Sequence, residues 1–165
     1  MSITNGPALL PTERVLRKDM VWFGGVGWRG FWPDTPKRSA GGATYLSQMF
    51  VTDRRLIFAP PPVSLLHRLS RFVYLIPPFS FVVFALWSVP ALGNGESVSL
   101  RRIARFHTWT PAFSGPVMFD TDSGSWQFRL LQNRRPWKHW ASKDAMRAQF
   151  EVIEAAWQRA RRENV

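Results

Sequence analysis

Residues 43–58, ATYLSQMFVTDRRLIF, alternate along most of their length. Tyr45, Ser47, Met49 and Val51 fall on one face and Thr44, Leu46, Gln48 and Phe50 on the other, which is the period-two pattern of a strand. The polar run Thr52-Asp53-Arg54-Arg55 breaks that pattern, and Leu56-Ile57-Phe58 resumes it as a second strand. The expectation is a β-hairpin turning on residues 52–55.

Upstream, Arg14 to Phe23 reads as another strand behind a polar, proline-containing leader, and 24–42 reads as a long loop rich in Gly and carrying Trp28, Phe31 and Trp32. Its GGVGWRG run lacks the Gly-Lys-Ser/Thr of a phosphate cradle, so a plain turn is expected there. Downstream, Val98–Leu100, Ile103–Trp109, Val117–Thr121 and Ser125–Gln132 read as short strands, with Asp122-Ser123-Gly124 as a hairpin turn. A basic, aromatic loop, NRRPWKHWA, follows over 133–141. Ser142 is then a helix N-cap with Asp144 in the first turn, and Met146, Phe150, Ile153 and Trp157 step along one stripe. Arg159, Arg161 and Arg162 suit the negative end of that helix's dipole.

Between the hairpin and Val98 lies a different composition. After Pro60-Pro61-Pro62, the residues Leu65, Leu66, Leu69, Phe72, Val73 and Ile76 line one helical face, opposite His67, Arg68 and Arg71. From Phe72 to Gly95 there is no Asp, Glu, Lys or Arg, and Phe79 to Val89 is nearly all aromatic or aliphatic. Pro77-Pro78 and Pro90 interrupt any single span. The two arms, Val63 to Ile76 and Phe79 to Val89, reach about 17–21 Å each as helices, and neither crosses about 30 Å of hydrocarbon alone.

The chain's 165 residues amount to one domain, or one domain and an appendage, too few for a large multidomain enzyme. Its 22 Lys and Arg against 11 Asp and Glu give a net charge of +11, which directs attention to anionic partners. The absence of Cys excludes disulfides, thiolate metal sites and thiol nucleophiles. Nine Trp suit work at a water–lipid boundary. No uninterrupted apolar run follows a basic start within residues 1–20, so no cleaved signal peptide is expected. His67, His107 and His139 show no metal-ligand or His-carboxylate spacing, and Asp120 and Asp122 flank a tight turn, where local hydrogen bonding accounts for them. No catalytic, cofactor or metal site is expected.

The run VTDRRLIF over 51–58 resembles the corresponding hairpin of GRAM and bacterial PH-like domains. VSLRRI over 98–103 looks like a second strand of that family, FDTDSGSWQF over 119–128 is similar to its later hairpin, and a closing amphipathic helix also matches. The resemblance covers most of 43–59 and 97–162. It implies an α+β fold, a PH-like bent antiparallel sheet or barrel closed by a C-terminal amphipathic helix. It is nearly silent on ligand, since such folds host lipid binders, protein binders and scaffolds. Residues 60–96 stand where the family has a short loop, and they are expected to form a hydrophobic helical hairpin inserted between strands. If the strands on either side share one sheet, both ends of the insertion lie on one side of any membrane, and a single crossing is excluded.

The expected function is a non-enzymatic, membrane-associated accessory or scaffold subunit. It would dock from the cytoplasmic face of the inner membrane on a membrane protein complex, for example an energy-converting, respiratory or photosynthetic assembly. Membrane or partner contact is expected from Leu65, Leu66, Leu69, Phe72, Val73, Ile76, Phe79, Phe81, Val82, Phe84 and Trp87. Anionic headgroups or acidic partner faces are expected at Arg68, Arg71, Arg134, Arg135, Trp137, Lys138 and Trp140. Arg101, Arg102 and Arg105 are read as further basic flank of the insertion. The alternatives are a peripheral module for anionic lipid headgroups and, behind it, a single-stranded nucleic-acid binder. Burial of the apolar arm as a core helix is the bland reading of the same residues.

Overall fold

The computed structural model describes residues 8–25, 45–61, 96–108, 116–122, 124–132 and 140–163. Among them, seven strands form one antiparallel sheet: β1 (Val15–Gly25), β2 (Tyr45–Thr52), β3 (Arg55–Ala59), β4 (Glu96–Ser99), β5 (Ile103–Thr108), β6 (Val117–Thr121) and β7 (Gly124–Leu130). Their order is β4-β3-β2-β1-β7-β6-β5. One helix, α1 (Lys143–Arg162), follows. The α+β expectation holds at this level. The sheet is not closed, because β4 and β5 are its two edges and do not pair.

The sheet is nevertheless strongly curled, and chain connectivity proves it. Laid flat, six strand spacings would separate β4 from β5 by about 29 Å. A short 3-10 helix, Leu100–Arg102, joins Ser99 to Ile103, and four Cα steps reach no more than about 14 Å. The two edges must therefore curve toward each other. Ring contacts agree: Phe58 of β3 stacks on Phe119 of β6 at 6.4 Å between centroids, although three strands lie between them in the sheet order.

The concave face carries the main core. Val21, Phe23, Met49, Val51, Leu56, Phe58, Ile103, Val117, Phe119, Phe128 and Leu130 are all buried there, so every strand but β4 contributes a buried residue and β4 adds partly buried Val98. Full burial of each large apolar side chain contributes about 1.5–3 kcal/mol. α1 packs on this core through Met146, Ile153, Ala156 and Ala160, with Phe150 and Trp157 at its margin, so the predicted stripe is the buried one. Ser142 Oγ accepts from the Ala145 amide at 3.2 Å, as an N-cap should. The Trp157 indole N–H donates to the Ile103 carbonyl (2.9 Å), and the fully buried Gln149 donates to Asp19 (3.0 Å), fixing the helix to β5 and β1.

Three details differ from the sequence reading. Leu100 is not the end of a strand but a fully buried residue of the 3-10 helix, because the chain must leave one sheet edge for the other at that point. β2 is buried on both faces: Leu46 and Phe50, on the face away from α1, are as enclosed as Met49 and Val51. Ile57 and Ala59 of β3 share that outward face, where Leu9 and Val15 pack against Phe50, Ile57 and Ala59. Finally, the leader is part of the fold. Glu13 lies buried against the β2–β3 turn and accepts from Arg55 Nε and Nη2 (2.9 Å each), the Leu10 amide (2.7 Å) and Thr52 Oγ1 (2.7 Å). Thr12 beside it is held at φ 67°, an unusual region for a β-branched residue.

Candidate functional site

The strand registers decide where the Gly/Trp-rich loop and the insertion attach. β1 ends and β2 begins at one end of the sheet, with Phe23 opposite Tyr45, so the Gly/Trp-rich link of residues 26–44 leaves from there. β3 ends and β4 begins at that same end, with Phe58 opposite Glu96, and the insertion leaves and returns between them. The β2–β3 turn lies at the opposite end, where the Leu100 amide donates to the Arg54 carbonyl (2.9 Å). Two segments far apart in sequence thus share one end of the four-stranded half. The condition for excluding a single crossing is met, since β3 and β4 are neighbours in one ladder.

Of the predicted contact residues, those from Leu65 to Trp87, with Arg134, Arg135, Trp137 and Lys138, lie outside the described residues, as do His67 and His139. Trp140 is described. It bridges to Leu131 beside β7 and packs with Met20, Leu46 and Leu131 on the outward face of the sheet. Its ring meets Trp22 edge-on at 6.0 Å, and the Arg129 guanidinium sits 4.2 Å over it. Trp22 and Arg129 are themselves cross-strand partners. Burial pushes the Arg129 guanidinium below its ordinary pKa, and the indole face compensates part of that desolvation. The loop of residues 133–139 is therefore anchored at its C-terminal stem by an Arg–Trp–Trp cluster. Sequence reasoning missed Trp22 and Arg129; the alternation of Arg129 against Phe128 and Leu130 places it outward, but only the β1–β7 register brings it to Trp22.

On the outward face of β5–β7, Arg105 donates to Asp120, Ser125 Oγ donates to the same carboxylate (2.6 Å), and His107 Nδ1 stands 3.9 Å away. Burial alone would raise the Asp120 carboxyl; the bonds from Ser125 and Arg105 and the positive charges of His107 and Arg105 outweigh it and hold it below its ordinary value. The residue types are those of a hydrolytic triad, but the connectivity is not. Ser125 gives its proton to the carboxylate rather than to the imidazole, so no base is set to activate it. The arrangement is an ion-pair ladder across β5–β7. Among the described residues, no group of three or more His, Asp or Glu is placed to hold a metal ion. No described helix is long and apolar enough to cross a membrane.

Arg101 and Arg102, read from the sequence as basic flank of the insertion, follow β4 in the chain. They sit on the 3-10 helix, beyond the end of the four-residue β4 opposite Glu96. Arg102 is held by Asp122 through contacts of 2.6–3.1 Å.

Compared with protein-family models and with curated proteins, the chain matches none.

Proposed function

We propose that this chain is a non-enzymatic, membrane-associated accessory module of PH/GRAM-like fold. Residues 63–89, within the insertion, form an apolar helical hairpin that enters one leaflet from the cytoplasmic side and docks on transmembrane subunits of a larger complex. The observation that carries the reading is the Phe58–Glu96 pairing. A segment without a formal charge from Phe72 to Gly95 departs from and returns to adjacent positions of one ladder, which suits a re-entrant element and not a spanning one. The emergence of the Trp-bearing link 26–44 from the same end supports a single adhesive end. The strand order and the terminal helix are compatible with the PH-like reading of the fold.

Fractionation of membranes containing the chain, parallel to Leu69→Glu and Phe84→Arg variants, tests the proposal. The parent is expected to need detergent for release, with stoichiometric membrane proteins co-purifying, and the variants to become soluble with the sheet intact. Release of the parent by high salt alone would refute insertion in favour of a peripheral headgroup binder.

One observation favours a second reading. Leu46, Phe50, Ile57 and Ala59 are buried on the outward face of β2 and β3, where Leu9, Val15 and Trp140 pack against them, and an apolar segment added to that cover would serve the fold rather than a membrane. Loss of folding in both variants, with a water-soluble parent, is its signature.

A further inference from the structure

A concentration of arginine lies around the β2–β3 turn, the 3-10 helix and the end of α1. Arg54 lies on the β2–β3 turn, Arg101 and Arg102 on the 3-10 helix, and Arg159, Arg161 and Arg162 on the last turns of α1; all six are exposed. They belong to one surface. The Leu100 amide bonds the Arg54 carbonyl, the Trp157 indole bonds the Ile103 carbonyl, and Arg101 Nη2 stands 4.0 Å from Glu163 just past α1. The helix dipole accounts for cations in the last turn of α1. It does not account for Arg54, Arg101 and Arg102, which lie on other elements.

We infer that this arginine pole docks an acidic peptide segment of a partner protein. Arg102 already holds a carboxylate between Nε and Nη2, with Asp122 as an intramolecular stand-in for the ligand. That pair is more than half exposed on both sides, so solvent screens it and a multivalent acidic ligand displaces it at small cost. The planar fork of arginine, used at all six positions, fits carboxylates better than an ammonium does. A nucleic acid suits the pole less well. Trp157 has its N–H committed to Ile103 and its ring against Phe106, so it offers no free face for a base. In the proposed membrane orientation, on which only the direction of the pole depends, this surface faces water.

The probe is a fluorescent deca-glutamate peptide, titrated by anisotropy against the full chain at low ionic strength, in detergent and on phosphatidylcholine vesicles. Arg159→Glu/Arg162→Glu is expected to weaken binding about tenfold, and Arg54→Glu/Arg101→Glu similarly, with unchanged far-UV spectra. Lys18→Glu/Lys143→Glu makes the same charge change away from the pole and is expected to stay within about twofold of the parent. Equal losses in the pole and control variants overturn the inference, since attraction would then follow net charge alone. Tighter binding of a ten-residue oligothymidylate, lost in the same pole variants, overturns it in favour of nucleic acid. Failure of the chain to bind vesicles bears on the membrane reading alone and leaves the detergent titration intact. Loss of peptide binding only on vesicles refutes the outward orientation of the pole.

Discussion

Replacing Glu13 by Ala is expected to be the most damaging single change in the N-terminal leader. The Glu13 side chain is 0% exposed and its partner Arg55 15%, so the pair is largely withdrawn from water. The carboxylate accepts two bonds from the Arg55 fork, one from the Leu10 amide and one from Thr52. Its removal leaves a guanidinium and an amide short of acceptors, and breaking one side of a buried pair costs about 3–5 kcal/mol. In a chain of this length that lowers the melting temperature by roughly 10 °C. Urea unfolding followed by Trp fluorescence and far-UV dichroism measures the change, and Arg55→Ala with the double variant closes a thermodynamic cycle. The pair also sets an acid limb. Burial would raise the Glu13 carboxyl, but hydrogen bonds from Arg55, Leu10 and Thr52 and the Arg55 charge hold it below its ordinary value of 4.5. The stabilisation is complete above that value. As pH falls, the unfolded chain takes the proton first, so stability declines by up to about 1.4 kcal/mol per pH unit until the lower folded value is passed. Glu13→Gln should remove this limb and keep the decline from Asp120, whose carboxyl is also held low. A Glu13→Ala loss under about 1 kcal/mol, or an acid limb unchanged in Glu13→Gln, would refute the assignment of the leader to the fold.

Trp140→Ala should destabilise the chain by about 2 kcal/mol in the same urea assay, because the ring is half-buried against Trp22, Leu46 and Arg129; an effect seen only with lipid present would assign Trp140 to headgroup contact instead. Arg68→Glu/Arg71→Glu is expected to weaken partition onto anionic vesicles by about 2 kcal/mol or more, at about 1 kcal/mol per basic side chain near the surface. Arg101→Glu/Arg102→Glu should leave vesicle partition unchanged, since these side chains lie beyond the end of β4 opposite the insertion's stem.

Elements governed by local pattern were legible in the sequence. The stripe Met146–Phe150–Ile153–Trp157 with its Ser142 cap announced α1, and the period-two alternation of 45–52 with the break at 52–55 announced β2, β3 and their turn. Gly124, at φ 138°, occupies the turn position that its lack of a Cβ permits. What escaped depends on residues brought together from afar. Glu13 and Arg55 are separated by 42 positions and meet only because β1 pairs with β2. Trp22 and Arg129 meet only through the β1–β7 register. Leu100 looked like strand because its neighbours alternate; its burial in a 3-10 helix follows from the demand that β4 and β5 lie at opposite edges. The insertion was legible as composition, and its stems, not its interior, are what the sheet defines.

Those stems also divide the charge. The described residues at the adhesive end, Phe23, Gly25, Tyr45, Ala59 and Glu96, include no cation, so attraction to an anionic surface at that end falls to Arg29, Lys37, Arg38, Arg68 and Arg71 in the two links that leave from it. Among the described arginines, Arg54 lies on the β2–β3 turn, at the other end of β3 from the insertion's stem, and Arg102 is held by Asp122 on the β6–β7 turn. Screening over a Debye length of about 8 Å at physiological salt confines the attraction of each exposed cation to its own neighbourhood. If the arginine pole and the basic links act separately, Arg159→Glu/Arg162→Glu leaves partition onto anionic vesicles unchanged and Arg68→Glu/Arg71→Glu leaves deca-glutamate binding unchanged.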